Sequence, residues 1–121
     1  MAVGIQECMD HMLVEHDFVW ISLIGEDGMA LCQAGIDEQF ELAARLPTWV
    51  QSGHDIARAA RMESGMGLLC LVPRQGSHAL LMRDFSVERR GSFILLIATK
   101  RMPPRTATVL QDLCDRMVEF L

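Results

Sequence analysis

The chain has 121 residues, of which 50% are hydrophobic and 22% are charged. These values exclude a disordered or collagen-like chain. The length predicts one compact domain over residues 1–121 and excludes most two-domain enzymes. The mean hydropathy of +0.21 is high for so small a domain, so we expect some apolar surface to meet a partner.

The net charge of −5 is distributed unevenly along the chain. Residues 1–44 contain nine carboxylates and no Lys or Arg, whereas residues 45–121 contain eleven basic and seven acidic residues. The acidic first part and a pI near 5.2 argue against nucleic acid as a partner, because its binding depends on clustered Lys and Arg. Basic loops brought together by the fold would weaken that exclusion.

Four widely spaced cysteines each lie in an apolar or amphipathic run, and no CxxC occurs. This pattern predicts buried free thiols in a reducing compartment rather than a disulfide framework. The N-terminal stretch lacks the basic region of a signal or transit peptide. No apolar run approaches the roughly 18 residues that span a bilayer. We therefore expect a soluble, cytoplasmic protein that does not contact membranes.

The chain begins with a predicted helix and hairpin. Apolar residues at helical spacing predict an amphipathic helix over residues 3–15. The apolar run at residues 18–24 predicts a strand covered on both faces. The Asp27-Gly28 pair marks a turn, and residues 29–34 return antiparallel to the first strand.

A long helix follows. Asp37 is its predicted N-cap, and it extends to about Met62. Pro47 either kinks this helix, or a short turn ends at Leu46 and the main helix begins with Pro47. One predicted apolar stripe of the helix contains Leu42, Leu46, Trp49, Val50, Gly53, Ile56, Ala57 and Ala60.

The second half predicts three strands and a closing helix. After Pro103-Pro104, the closing helix has an apolar side formed by Val109, Leu113, Met117 and Phe120 or Leu121. The preceding segments are a strand at 67–72, a turn at 74–77, a strand at 78–85, a charged loop at 86–90 and a buried strand at 92–98.

The element order α-β-β-α-β-β-β-α predicts an α+β fold. We expect a five-stranded antiparallel sheet with two helices on one face and one long helix on the other. A single helix cannot cover five strands, so the face of the long helix is the predicted location of the apolar surplus.

Motifs of known catalytic and cofactor chemistry are missing from the sequence. It contains no GxxxxGKS or GxxxxGKT, no GxGxxG after a strand, no HExxH and no GxSxG. The segment 65–67 has two glycines before a strand, which favours a turn over a phosphate loop. His54 and His78 have no partner evident in the sequence that would form a nucleophile–base pair. We predict no catalytic residue and no cofactor.

A metal site is also not expected. Cys8 and His11 are one helical turn apart, and His16 follows, but His11 does not share the apolar stripe of Cys8. A tetrahedral zinc site needs a third and usually a fourth ligand, which no CxxC or HxxxH supplies.

Protein contacts have stronger candidates. Nine methionines and no tyrosine indicate either core filling or an adaptable interaction surface. Trp49 is either an interface residue or a core residue. Basic residues of the later strands and loops form either a solvated surface or a protein-docking patch. They are Arg83, Arg89, Arg90, Lys100, Arg101 and Arg105.

Three stretches resemble the roadblock family, which is named for a dynein light chain. They are the first hairpin at residues 20–32, residues 67–72 with the following strand, and residues 93–98 continuing into the last helix. The strongest likeness is the apolar strand, its Asp27-Gly28 turn and the apolar return. Profilin-like, longin and GAF sensor domains have related layouts.

The resemblance implies a homodimer in which the third strands pair across a two-fold axis and the middle helices pack side by side. Bacterial members of the family serve as partners of small Ras-like GTPases. The implied function is a non-enzymatic adaptor that docks such a GTPase, or a polarity, motility or transport complex, and modulates its nucleotide cycle. The expected dimer residues are Trp49, Ile56, Ala60, Leu69 and Leu71, and the expected docking residues are Arg83, Arg89 and Arg90.

The alternative function is a GAF- or profilin-like sensor that holds a small molecule between the sheet and the long helix near Trp49. Few polar residues lie on the inner stripe of that helix, which favours the adaptor. An enzyme with an unrecognised site is a third hypothesis.

Overall fold

The computed structural model describes residues 2–35, 40–76 and 78–121. Three helices and five strands follow one another in the predicted order. The helices are α1 (Ala2–Glu15), α2 (Phe40–Ala59) and α3 (Thr106–Val118). The strands are β1 (Phe18–Gly25), β2 (Ala30–Ala34), β3 (Leu69–Leu71), β4 (Ala79–Val87) and β5 (Gly91–Thr99).

The five strands form one antiparallel sheet in the order β2-β1-β5-β4-β3. β1 and β5 lie at its centre, which explains why both are almost continuously apolar: each is covered on both faces. β2 and β3 are the edge strands. Within the described chain β3 pairs only with β4, so the backbone groups on its other side face outward.

The sheet separates two apolar cores, which confirms the predicted arrangement of helices. Leu95 and Ile97 of β5 point into the core that also contains residues of α1 and α3. The alternate residues Ile94 and Leu96 point into the core beneath α2. The period of two along β5 therefore divides its side chains between the two layers.

The Asp27-Gly28 turn is confirmed. The Gly28 amide donates to the Gly25 carbonyl at 3.0 Å, and the Met29 amide donates to Oδ1 of Asp27 at 3.0 Å. Gly28 has a φ of 80°, and a Cβ there would lie 3.0 Å from the Cα of Ala44. Glycine is needed both for this backbone conformation and for the close approach of α2.

Helix α2 contains Pro47 in its interior. Of the two alternatives left open by the sequence, the structure therefore excludes the one in which the main helix begins at Pro47. Leu46 and Val50 are buried on either side of the proline, and their packing against the sheet offsets the loss of one helical hydrogen bond. The helix ends at Ala59, before the predicted Met62. The predicted N-cap Asp37 lies outside the described residues.

Two other boundaries differ from prediction. β3 comprises only Leu69–Leu71 rather than residues 67–72, whereas β4 continues through Ser86 to Val87. The shift of β4 leaves a tight connection at residues 88–90, where Arg89 takes a φ of 66°. Among the described helices, none is long and apolar enough to cross a membrane.

Candidate interaction site

The β3 edge exposes apolar side chains next to α2. Leu69 packs into the core beneath α2, whereas Leu71, two residues further and on the same face, is 51% exposed. The following Val72 is also exposed. An open strand edge with uncovered apolar side chains is a surface that favours association.

Helix α2 has an exposed apolar flank beside its buried stripe. Leu46, Val50 and Ala57 are buried, but Trp49 is 37% and Ile56 is 67% exposed. The prediction of a single stripe is wrong, because spacings of three and seven residues place Trp49 and Ile56 to one side of the residues that meet the sheet. Trp49 therefore does not lie fully in the core of this chain.

Close packing brings this flank to the β3 edge. Gly53 lies between Trp49 and Ile56 on the helix surface, and a Cβ at Gly53 would be 3.7 Å from Cδ1 of Leu69. The predicted dimer residues on α2 and β3 are thus neighbours in space. Ala60 is also exposed and follows the end of the helix.

The three predicted docking arginines occupy two different places. Arg89 and Arg90 are exposed in the β4–β5 connection. Arg83 is half-buried on β4 and donates hydrogen bonds to the Gly67 carbonyl and to Oε1 of Gln111 on α3. It therefore joins the segment before β3 to α3.

A cleft lies on the other flank of α2, between the helix and the ends of β1, β4 and β5. Its volume is about 270 Å³. His54 Nε2 lies 2.8 Å from Oδ2 of Asp84, and each side chain is about one-third exposed. Since a carboxylate only accepts, Nε2 carries the hydrogen and donates it. Opposite this pair, Glu26 accepts the Ser92 amide through Oε1 at 2.8 Å.

The partner of His54 is not evident from the sequence. His54 and Asp84 are thirty residues apart on different elements, and no local spacing connects them. The alternation of β4 was the one available signal: Met82 faces α2, so Asp84 faces it as well.

The titratable groups outside the cleft were compared with the needs of metal binding and thiol chemistry. No three His, Cys, Asp or Glu side chains of the described residues lie together in a way that could hold a metal ion. All four cysteines are free; Cys32 and Cys114 are buried, while Cys8 and Cys70 are half-buried. Burial raises the pKa of each thiol, that of Cys114 to about 12, which keeps them in the unreactive protonated form.

This arrangement of sheet, paired helices and single opposing helix is the roadblock-like fold. The structure is similar to that of MglB from Myxococcus xanthus, with a TM-score of 0.72 and 14% identity over 97% of this chain and 94% of MglB. It is also similar to MglB with a tetrameric arrangement, with a TM-score of 0.74 and 12% identity over 98% of this chain and 88% of that one.

A third similar structure is the Roadblock/LC7 domain from Streptomyces avermitilis, with a TM-score of 0.51 and 18% identity over 92% of this chain and 89% of the domain. No family model and no curated protein matches the sequence. The likeness is one of fold, and the resemblance seen in the first hairpin is confirmed at that level.

Proposed function

We propose that the chain is a non-enzymatic homodimeric adaptor that docks a small Ras-like GTPase, or a polarity, motility or transport complex, and modulates the partner's nucleotide cycle. The observation that supports it most is the exposed α2 flank lying beside the open β3 edge. The roadblock-like fold shared with MglB supports the class of partner. The sequence contains no phosphate loop, so the nucleotide chemistry belongs to the partner.

Self-pairing of β3 accounts for both exposed features. Two copies of β3 meeting across a two-fold axis would satisfy the outward backbone groups and join the two sheets. Trp49, Ile56, Ala60, Leu69 and Leu71 would then form the interface. Burying apolar surface stabilises association by about 25 cal/mol per Å², and aromatic anchors such as Trp49 commonly dominate interfaces.

Arg89 and Arg90 are the leading docking residues. Both are exposed, and neither forms an ion pair or a side-chain hydrogen bond with another described residue. Arg83 belongs to the same proposal, but it would meet a partner only by giving up its contacts with Gly67 and Gln111. Exposed basic side chains speed the association with an acidic partner and orient it.

The dimer is tested by Leu71→Asp, with Leu31→Asp as its matched control. Leu31 is 54% exposed on β2, the opposite edge strand. Sedimentation velocity at micromolar concentration should show a dimer for the parent chain and for Leu31→Asp, and a monomer for Leu71→Asp. A parent chain that sediments as a monomer, or a Leu71→Asp variant that remains a dimer, would refute the proposed interface.

The docking function is tested with the Ras-like GTPase encoded nearest to this chain's gene. We expect it to bind in one nucleotide state and to hydrolyse GTP at a changed rate when the chain is added. Reversal of both charges, Arg89→Glu with Arg90→Glu, should weaken binding while leaving the dimer intact. Undiminished binding of that variant would exclude these arginines as docking residues.

The second candidate function is a small-molecule sensor, with the cleft rather than the surroundings of Trp49 as the site of the ligand. The cleft lies between the sheet and the long helix, lined by apolar and polar side chains, as small-molecule sites commonly are. Native mass spectrometry of the purified protein distinguishes the two functions. A bound metabolite that is lost on mutation of the cleft supports the sensor, and a protein without ligand that binds a GTPase supports the adaptor.

A further inference from the structure

The cleft beside α2 combines an apolar floor with acidic walls. Pro47 and Val50 of α2 and Ile94 of β5 contribute the apolar surface. Glu26, after β1, and Asp84, on β4, contribute the carboxylates, and no Lys or Arg of the described residues lines it. Such a surface matches a group with an aliphatic stem and a cationic head.

Each carboxylate keeps one oxygen available. Asp84 accepts from His54 through Oδ2, and Glu26 accepts the Ser92 amide through Oε1. Neither Oδ1 of Asp84 nor Oε2 of Glu26 has a hydrogen-bond donor among the residues that the structure describes. His54 is a positioning residue, because its hydrogen bond orients Asp84 at the wall of the cleft.

We propose that this cleft receives an arginine side chain presented by a protein partner. A guanidinium carries five donors in one plane, so it can bridge carboxylates on separate elements, whereas an ammonium is a compact charge. A metal ion fits less well, because His54, Asp84 and Glu26 do not form a metal-binding group. An anion would meet two negative charges.

The size and place of the cleft favour a side chain over a free ligand. Its volume of about 270 Å³ lies below the range of about 300–1,000 Å³ that is usual for small-molecule pockets. Pro47, Gln51 and His54 recur at four and three residues on α2, on the flank away from Trp49 and Ile56. The cleft therefore stays open in the proposed dimer. The identity of the occupant as a protein rests on the proposed function.

The probe for a test is Nα-acetyl-arginine amide, which mimics an arginine within a chain. Added to the ¹⁵N-labelled full chain, it should shift the amide signals of Ser92, Ile94 and Asp84. Nα-acetyl-lysine amide should bind clearly more weakly in the same titration. Glu26→Gln and Asp84→Asn should each weaken binding at least about fivefold, because each removes one charged acceptor. Glu88→Gln, an exposed carboxylate outside the cleft, is the matched control and should leave binding unchanged.

Three outcomes would overturn the inference: no shift at the cleft, equal binding of the lysine probe, or equal loss in Glu88→Gln. Agmatine, which has the same head group without the peptide backbone, distinguishes an arginine side chain of a protein from a free ligand. If agmatine binds at least tenfold more tightly than the arginine amide, the cleft serves a free ligand and the partner assignment is wrong. Sedimentation of the cleft variants should still show the dimer, so failure here is distinguishable from failure of the proposed function.

Discussion

Gly53 on α2 and Met66, three residues before β3, lie so close together that a methyl group at Gly53 would overlap the Met66 sulfur. Leu69 of β3 approaches the same point. Glycine is an unfavourable residue inside a helix, yet here it allows the exposed flank of α2 to lie against the edge strand. The proposed dimer surface depends on this contact, because it brings the exposed flank of α2 next to β3.

Replacing Gly53 by Ala should reveal this overlap. In an unhindered helix the change stabilises a protein by about 1 kcal/mol, but here Met66 must move and the gain should be lost. In a Met66→Ala background the full gain should appear. Urea unfolding of the four proteins measures the difference, and an equal gain from Gly53→Ala in both backgrounds would show that Met66 is not the obstacle.

The ion pair between α1 and α3 should make stability depend on acid pH. Nη1 of Arg116 donates to Oε2 of Glu15 at 3.0 Å, and this hydrogen bond lowers the pKa of Glu15. A carboxyl whose pKa is lower in the folded state stabilises the protein above its unfolded pKa of about 4.3 and loses that effect as the pH falls through the folded value.

Glu15→Gln should therefore unfold at a lower temperature than the parent chain at pH 7, and the difference should shrink towards about pH 3. Thermal unfolding followed by circular dichroism across this range provides the measurement. Glu7→Gln, on the exposed side of the same helix, is the control and should show a smaller difference. A deficit for Glu15→Gln that stays constant with pH would contradict the assignment.

Cys114 should make the protein sensitive to alkaline pH. Its side chain is buried, which raises its pKa to about 12, whereas the pKa of an unfolded thiol is about 8.5. Folding therefore favours the protonated thiol, and this contribution is complete below about pH 8.5 and lost as the pH rises towards the folded value.

The free energy of unfolding should fall with pH above about pH 9 in the parent chain and less steeply in Cys114→Ala. The proteins are compared by the slope of the free energy of unfolding against pH rather than by its value, because the truncation also leaves a cavity that lowers the value at every pH. Val109→Ala, a truncation on the same helix without a titratable group, should keep the parental slope. Identical slopes in all three proteins would exclude Cys114 as the source.

Two buried hydroxyls should respond in opposite ways to removal. Oγ of Ser22 on β1 has no hydrogen-bond partner among the described residues, whereas Oγ1 of Thr99 donates to the Arg101 carbonyl at 2.7 Å. We expect Ser22→Ala to leave the free energy of unfolding unchanged or higher, and Thr99→Ala to lower it by about 1 kcal/mol. Chemical denaturation compares them, and a loss above about 1 kcal/mol in Ser22→Ala would reveal a partner for its hydroxyl.

Local patterns predicted the elements and their layers. The Asp27-Gly28 turn and the strands β1 and β5 could be predicted, because each depends on residues that are adjacent in sequence. The length of β3 was overestimated. An apolar run indicates that side chains meet other apolar groups, but it does not show how many residues form hydrogen bonds with the neighbouring strand. Whether Pro47 begins the main helix or lies within it could not be decided from the local sequence. In the structure it lies within α2, and Leu46 and Val50 are buried on either side of it.

Contacts between distant residues were beyond sequence reasoning. The pair His54–Asp84 and the bonds of Arg83 depend on which strand passes beneath which helix. Periodicity places Trp49 and Ile56 on a helix face, but what covers that face depends on the neighbouring elements. The site therefore emerges from tertiary placement rather than from a motif.

The centre of the sheet has a consequence for synthesis. β1 pairs with β5, so that Ile21 lies opposite Ile97, and most of the chain must leave the ribosome before this pairing is possible. Until then the apolar β1 has only the five-residue β2 as a neighbouring strand. Pairings so distant in sequence slow folding. The nascent chain should consequently be a substrate for holding chaperones until its last strand has emerged.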